Sequence, residues 1–488
     1  MPAESLRRRA RRAWAVLIVG LALQAALLPL LSAKAVPWQA QTAGLLAGAV
    51  ALVPLARWWA RGDRTAPMFE LICVAYLVQF YQPLFHQANG VWVVQGHVWL
   101  DWSTTTRALL LVALGVACLI LGHEIAKRSF KGLPAIDLPI WRRRRSWFVA
   151  FALLVGVGGV ALSGRVSGGA GLAALVRLAE VQLYVLIALL VFWGFSLPGG
   201  QLWAKVLALV VTVLFAVVGL ATGMLEQAVL PLIVFVVALW QTRRRLPWRL
   251  ALAGVVVVVL LNSVKGEYRE VAWVGGRNLG FFDKVATWVS LAGRGAAGVA
   301  EHRQEPLREW LSASLSRFDL LHRFSFVIRM TPDPLPYYHG LTYEYLAVAA
   351  VPRLLWPDKP TASQSNRVVD TDYGFLNDLE SSTVIGIGML PEAYANFGAA
   401  GVVVILFLQG ALFGLLDRLL NSPRSEGGRA IYIWTMVFFL NGIGSSAAIL
   451  FGALLQNVLV NAALLRPFAA GFRGSAPPVR IVVGVGGG

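Results

Sequence analysis

Long apolar runs with almost no charge recur along this chain, and no other feature constrains it as much. In a bilayer, about 20 consecutive apolar residues cross the hydrocarbon core as a helix. Such runs fall at 13–31, 42–59, 68–85, 104–122, 146–163, 178–196, 204–223, 226–241 and 249–264, and again at 399–416, 430–443 and 446–465. Backbone polar groups in hydrocarbon must pair within their own segment, which leaves the helix as the form for these runs. The chain therefore reads as an all-α polytopic membrane protein with about 12 transmembrane helices. Two runs, 226–241 and 430–443, are short, and the last two runs are compatible with one broken hairpin.

Charge follows the same plan. Only 14% of the 488 residues are charged, against 57% hydrophobic, where a soluble protein carries about 25% charge. The net charge of +18 is concentrated in alternate connections. Arg7, Arg8, Arg9, Arg11 and Arg12 precede the first run, and Arg57, Arg61 and Arg64 follow the second. Lys127, Arg128, Lys131 and Arg142 to Arg145 follow the fourth, and Arg243, Arg244, Arg245 and Arg249 surround the eighth gap. The intervening connections are nearly free of Lys and Arg, so the positive-inside rule puts both termini in the cytoplasm and residues 265–398 outside. The basic excess is thus a topology signal, and nucleic acid is not a partner. The first run has no small-residue cleavage site followed by a polar region, which reads as an uncleaved span. Cys73 and Cys118 both fall within apolar runs, which leaves no disulfide framework.

The chain divides accordingly into a bundle at 1–264, an outer segment at 265–398, a second membrane portion at 399–470 and a Gly/Pro-rich tail at 471–488 that reads as disordered. The outer segment collects most of the chemistry. Gly275, Gly276 and Gly280 make 265–303 read as turns rather than a packed unit. Residues 306–330 carry Leu307, Leu311, Leu315, Phe318, Leu321 and Ile328 at helical spacing, with Arg308, Arg317, His322, Arg323 and Arg329 opposite. A basic amphipathic helix of this kind suits a membrane interface. Residues 341–356 are apolar but too short to span, which predicts a re-entrant or surface helix. Glu392 stands directly before an apolar run, where an ionisable group is costly unless it has a partner or a task. It is either an interfacial carboxylate paired to an arginine or a catalytic acid/base.

The sequence has no Walker A loop, no GxGxxG following a strand and no HExxH, which argues against a nucleotide-driven pump and a zinc protease. Asp370-Thr-Asp372 has the spacing of a metal–sugar motif, but acidic loop pairs of this kind are common. The residues point to no metal and no cofactor.

Several strings, Arg317-Phe-Asp319, Thr331-Pro332, Gly340-Leu-Thr-Tyr343, Pro352-Arg-Leu-Leu-Trp-Pro-Asp-Lys-Pro360, Asn366, Tyr373-Gly374 and Glu392-Ala-Tyr-Ala-Asn-Phe-Gly398, resemble the Wzy-type O-antigen polymerases, also called oligosaccharide repeat-unit polymerases. The resemblance covers about 317–420, and the Pro352 to Pro360 string is its most specific part. It implies a GT-C-like membrane glycosyltransferase in a bacterial inner membrane. The enzyme would transfer a glycan from undecaprenyl pyrophosphate to a hydroxyl of the next lipid-linked repeat unit at the periplasmic face. A chain-length regulator and a flippase would be its partners, along with membrane lipids, and no nucleotide sugar would be used.

For such a reaction, guanidinium groups suit the growing charge of a pyrophosphate leaving group, and a carboxylate suits activation of the accepting hydroxyl. Arg317, Arg323, Arg329 and Lys359 are the candidates for pyrophosphate. Glu392, Asp319 and Arg353 are the candidates for catalysis, and Tyr343, Trp356 and Tyr373 for stacking on sugar rings. Two other readings remain open. An O-antigen ligase shares the outer loop, and a transporter or flippase would carry charge within its spans.

Overall fold

The computed structural model describes residues 2–31, 36–62, 67–85, 91–93, 97–99, 101–163, 170–196, 199–244, 247–274, 279–301, 319–351, 356, 358–376 and 384–469. The expected disordered tail at 471–488 lies outside them, as do Arg317 and Arg353. Among the described residues, apart from one short antiparallel pair, β1 (Val91–Val93) and β2 (His97–Trp99), the regular structure is helical.

Among the described residues, nine helices are long and apolar enough to cross a membrane by length and composition. They include α1 (Pro2–Leu31), α2 (Trp38–Arg61), α4 (Trp102–Ser129), α5 (Arg145–Ser163), α6 (Ala170–Phe195), α7 (Leu202–Ala221) and α8 (Leu225–Arg243). Long α15 (Met389–Leu420) and α17 (Ala447–Leu465) complete them. The other three expected spans differ. α3 (Met68–Tyr81) is a shorter apolar helix, and α16 (Glu426–Asn441) has only 16 residues. The run at 249–264 is α9 (Trp248–Ser263), which bends by 56° into α10 (Lys265–Arg269).

The remaining helices are α11 (Phe281–Glu301), α12 (Leu321–Met330), α13 (Leu341–Ala350) and α14 (Gln364–Asp372). The expectation that 265–303 is a string of turns is corrected by α10 and α11. Gly275 and Gly276 lie outside the described residues, while Gly266 of α10 and Gly293 of α11 are exposed with nothing within 4 Å of an added Cβ. Of the expected amphipathic helix at 306–330, only α12 falls in the described residues.

Exposed Trp14, Ile18 and Leu23 on α1, Trp147 and Leu154 on α5, Val206, Leu209 and Val213 on α7 and Val255, Val256 and Val257 on α9 form an apolar outer face suited to lipid. Residues Val185 to Val191 of α6 are all buried; a helix apolar all round belongs in the middle of a bundle.

The tightest packing is between α4 and α15. A Cβ on Gly122 would lie 2.0 Å from the Phe407 carbonyl oxygen, and one on Gly410 would lie 1.9 Å from the Leu119 oxygen. A Cβ on Gly414 would lie 2.5 Å from the His123 oxygen. The Gly410-x-x-x-Gly414 spacing thus lets two backbones touch, as small-residue stripes do between membrane helices. This pair is the frame on which the polar elements rest. The Leu320 N–H donates to the Gln79 carbonyl (3.2 Å), which places the start of α12 at the end of α3. Asp101 caps α4 through the Thr104 N–H at 3.0 Å.

Candidate functional site at the break in the long helix

Helix α15 is interrupted near its start. Phe397 (φ −139°, ψ 15°) and Gly398 (φ 64°, ψ −150°) leave helical geometry. The Gly398 pair of angles is open to glycine almost alone. Residues 389–396 thereby become a short buried arm that meets the long helix at an angle. The break frees the Ala395 and Asn396 carbonyls, which a continuous helix would pair with N–H groups four residues on. They accept instead from Tyr338 N (3.0 Å) and His339 N (3.1 Å). The third N–H in line, that of Gly340, donates to Asn396 Oδ1 at 3.0 Å. Asn396 Nδ2 then donates to Thr342 Oγ1 and to the Glu392 carbonyl, each at 2.8 Å. Irregular backbone at a span is tolerated when its polar groups find partners like these.

Glu392 is at the centre of this arm and is 1% exposed. Its Oε2 accepts the Ala447 N–H at 2.8 Å, so it caps the first turn of α17, with the Thr342 side chain beside it. A carboxylate at a helix N-terminus is favoured by the axial dipole. The expectation of an arginine partner is corrected: what holds Glu392 is a backbone N–H and a neighbouring hydroxyl. Tyr343 sits near it, its ring stacked on Phe397 at 6.1 Å. Its hydroxyl is buried and makes no hydrogen bond among the described residues. Burial first, and then the Glu392 charge, push the Tyr343 phenol well above its ordinary range.

Asp319, Arg323 and Asp370 form a neighbouring knot. Arg323 Nη1 donates to the Gly386 carbonyl at 2.8 Å, with Asp319 and Asp370 supplying negative charge around it. Asp319 holds His322 through the backbone N–H (3.1 Å) and through Nδ1 (2.5 Å). Asp370 Oδ2 accepts from Ile385 N at 2.8 Å and Gly386 N at 3.4 Å. Burial pushes its carboxyl up to about 6, despite those N–H groups and Arg323. The knot thus fixes the irregular segment 384–388 that leads into the short arm.

The other expected residues are spread apart. Lys359 Nζ donates to the carbonyls of Val348 (3.0 Å), Ala349 (3.0 Å) and Val351 (2.5 Å). It is a cap for the end of α13, not an open phosphate ligand, because these carbonyls occupy its ammonium. Tyr373 is 3% exposed and bonds Thr331 Oγ1 at 2.5 Å, so its ring is core rather than a sugar platform. Trp356 is 44% exposed. Arg329 is exposed and electrostatically near Asp101. The structure thus brings together Glu392 and Tyr343, and separately Asp319 and Arg323 in the knot that holds Gly386.

One residue was not singled out from the sequence. Arg107, near the start of α4, reaches Tyr394 Oη with Nη2 at 3.3 Å. Tyr394 in turn packs against Tyr337 (6.3 Å between rings), and Tyr337 against His339 (6.4 Å). Arg107 and His339 are exposed. Beside the break in α15, Arg107, Tyr394, Tyr337 and His339 therefore form a run of contacts that is exposed at Arg107 and His339 and buried at Tyr394, two residues after Glu392. The sequence signal for Arg107 was its position as a lone charge inside an apolar run.

Charge within the spans is not confined to this end. At the opposite end, Lys127 Nζ pairs with Asp417 Oδ2 at 2.5 Å, and Asn421 Nδ2 donates to Asp417 Oδ1 at 2.6 Å. His123 stacks on Phe69 at 3.7 Å, with neither ring nitrogen hydrogen-bonded among the described residues. Among the described residues, no group of three or more His, Cys, Asp or Glu is placed to hold a metal ion.

No curated protein and no solved structure matches this chain. The family model described as a domain of unknown function (DUF8712) matches residues 159–422, more than half of the chain, and the chain belongs to that family.

Proposed function

We propose that this chain is a membrane glycosyltransferase that joins undecaprenyl-pyrophosphate-linked oligosaccharide repeat units into O-antigen or exopolysaccharide. The observation that carries the reading is the broken start of α15, where buried Glu392 stands on the same short arm as Tyr394, which joins the contact run Arg107–Tyr394–Tyr337–His339. The resemblance of Gly340–Tyr343 and Glu392–Gly398 to the polymerases falls on the two strings that this break ties together. The DUF8712 match includes both strings.

In this reading, the accepting sugar hydroxyl attacks the anomeric carbon of the donor glycan. The new carbon–oxygen bond forms as the bond from that carbon to the pyrophosphate oxygen breaks. The bonding pair leaves with undecaprenyl pyrophosphate, and the hydroxyl proton goes to Glu392. Arg107 and Arg329 serve the diphosphate in this reading, where preorganised cations stabilise the developing charge, and the sequence candidates Arg317 and Arg353 lie outside the described residues. Asp319, Arg323 and Lys359 position backbone instead. Twelve crossings follow if the bent α9–α10 pair, α3 and α16 cross together with the nine long helices. The site would then face the periplasm from the inner membrane, with both termini cytoplasmic, in a GT-C-like arrangement. A flippase would supply the substrate, and a chain-length regulator would limit the product.

The test is incubation of purified protein with lipid-linked repeat units and no nucleotide sugar. A ladder of glycans is expected; monodisperse protein that yields none would overturn the proposal. The ion pair of Lys127 with Asp417 and the neighbouring His123, all inside the spans, favour a transporter as the second reading. That reading gains if vesicles move the lipid-linked units across the bilayer and form no ladder.

A further inference from the structure

We propose that α11 (Phe281–Glu301) lies in the membrane interface, with one face in the headgroup–acyl boundary of the bilayer leaflet where α7 and α9 end. Three faces are distinct over the described side chains. Trp288 (1% exposed) and Leu291 (2%) pack on the protein, with Val264 and Tyr268. Phe282 (83% exposed) and Val289 (68%), with Ala286 and Gly293, form an uncovered apolar stripe at helical spacing. Asp283, Ser290 and Arg294 form the third face, which is polar and exposed.

The position of the helix identifies what covers the stripe. Trp288 Nε1 donates to the Leu220 carbonyl at 2.8 Å, in the last turn of the spanning helix α7. The Trp288 ring stacks on Tyr268 at 4.3 Å, just beyond the 56° bend that turns the chain away from the axis of α9. The helix therefore rests across the ends of two helices whose outer faces (Val206 and Val213, Val255 and Val257) are themselves apolar and exposed. Its stripe continues the lipid-facing surface, while its polar face is free for water. An amphipathic helix in this position buries its apolar side ~5–10 Å into the interface.

Nitroxide labels at Phe282→Cys, Val289→Cys and Ser290→Cys test this in full-length protein carrying Cys73→Ser and Cys118→Ser. The protein is reconstituted in vesicles of equal parts phosphatidylcholine and phosphatidylglycerol. Collision with oxygen, which partitions into lipid, is compared with collision with a water-soluble nickel chelate. The oxygen-to-nickel ratio is expected to be several-fold higher at 282 and 289 than at 290. Two results overturn the proposal. One is a similar, nickel-favouring ratio at all three sites, which would put the stripe in water. The other is exclusion of both agents at 282 and 289, which would mean that protein covers it.

Discussion

The Glu392 carboxylate and the Ala447 N–H meet at 2.8 Å, so one side chain joins the short arm of α15 to the first turn of α17, 55 residues away in sequence. Cap and proposed base are then the same group, and two substitutions separate the roles. Glu392→Gln keeps an oxygen that accepts from Ala447, so the thermal midpoint in detergent should move little. Loss of the ionisable group should lower glycan polymerisation by about 100-fold or more. Glu392→Ala removes the acceptor as well and should cost about 1–3 kcal/mol of stability. A Gln variant that makes a normal ladder would leave Glu392 as a cap alone.

Lys359 should behave in the opposite way. Its ammonium bonds three carbonyls at the end of α13. Lys359→Met should therefore destabilise the protein by about 1–3 kcal/mol, with activity per folded molecule largely kept. Arg107→Gln at the exposed end of its contact run should leave the melting curve nearly unchanged and remove the ladder. Melting followed by intrinsic fluorescence, alongside the glycan gel, separates the two. A stable but inactive Lys359→Met protein would return that lysine to the site.

The long helices were legible because apolar runs of this length have one outcome in a bilayer, and Glu392 was legible because a charge at a run's edge needs a reason. The break at Phe397–Gly398 was not, since its partners, the Tyr338 and His339 N–H groups, are brought there by tertiary folding. Lys359 looked like a phosphate ligand because nothing in the sequence shows that carbonyls 8 to 11 residues earlier turn back toward it. The α11 helix was overlooked because Gly275, Gly276 and Gly280 ahead of it read as turns, and Arg107 was hidden by the apolar run around it. The spans also hold more charge than expected. Lys127 and Asp417 come from different helices, and each looks like an ordinary helix-end charge until they are paired.

Asp370 predicts a pH dependence. Burial raises its carboxyl from 3.8 to about 6, so the folded protein holds this proton more tightly than the unfolded chain. Its contribution to stability is fully present below pH ~4, falls as pH rises through about 6, and is level above that. Asp370→Asn keeps an oxygen for Ile385 N and does not titrate. The difference in thermal midpoint between variant and wild type should therefore shift in favour of the variant between pH 4 and 6. A difference that does not change over that window would mean the carboxyl titrates normally.

The contact of α4 with α15 predicts a steep size limit. A Cβ at Gly410 would approach the Leu119 oxygen to 1.9 Å, and one at Gly122 would approach the Phe407 oxygen to 2.0 Å. Both obstacles are backbone, which cannot rotate away, so Gly410→Ala should cost at least the ~1–3 kcal/mol typical of overpacking. Gly410→Leu should fail to give monodisperse protein on size-exclusion chromatography. Gly158, with nothing within 4 Å of its Cβ position, is the control and should accept Ala with little change. Equal behaviour of Gly410→Ala and Gly158→Ala would contradict the close approach.

The helix break itself can be tested by dividing its cost. At Gly398 an added Cβ meets two obstacles: a backbone with φ 64° and ψ −150°, and the Tyr337 hydroxyl at 2.9 Å. The first is a property of residue 398 and costs about 1–3 kcal/mol for any L side chain. The second is eased when Tyr337 loses its oxygen, although Cζ (3.2 Å) and Cε1 (3.3 Å) of the ring stay close. Gly398→Ala should therefore lower the melting temperature, and adding Tyr337→Phe should recover only part of the loss. Residues in contact give non-additive effects, so the recovery measured in a double-mutant cycle is the share owed to the Tyr337 hydroxyl. Full recovery would mean that the backbone at 398 relaxes into ordinary helix. The Ala395 and Asn396 carbonyls would then return to the helix, and the Tyr337–His339 segment would lose its anchor on the short arm.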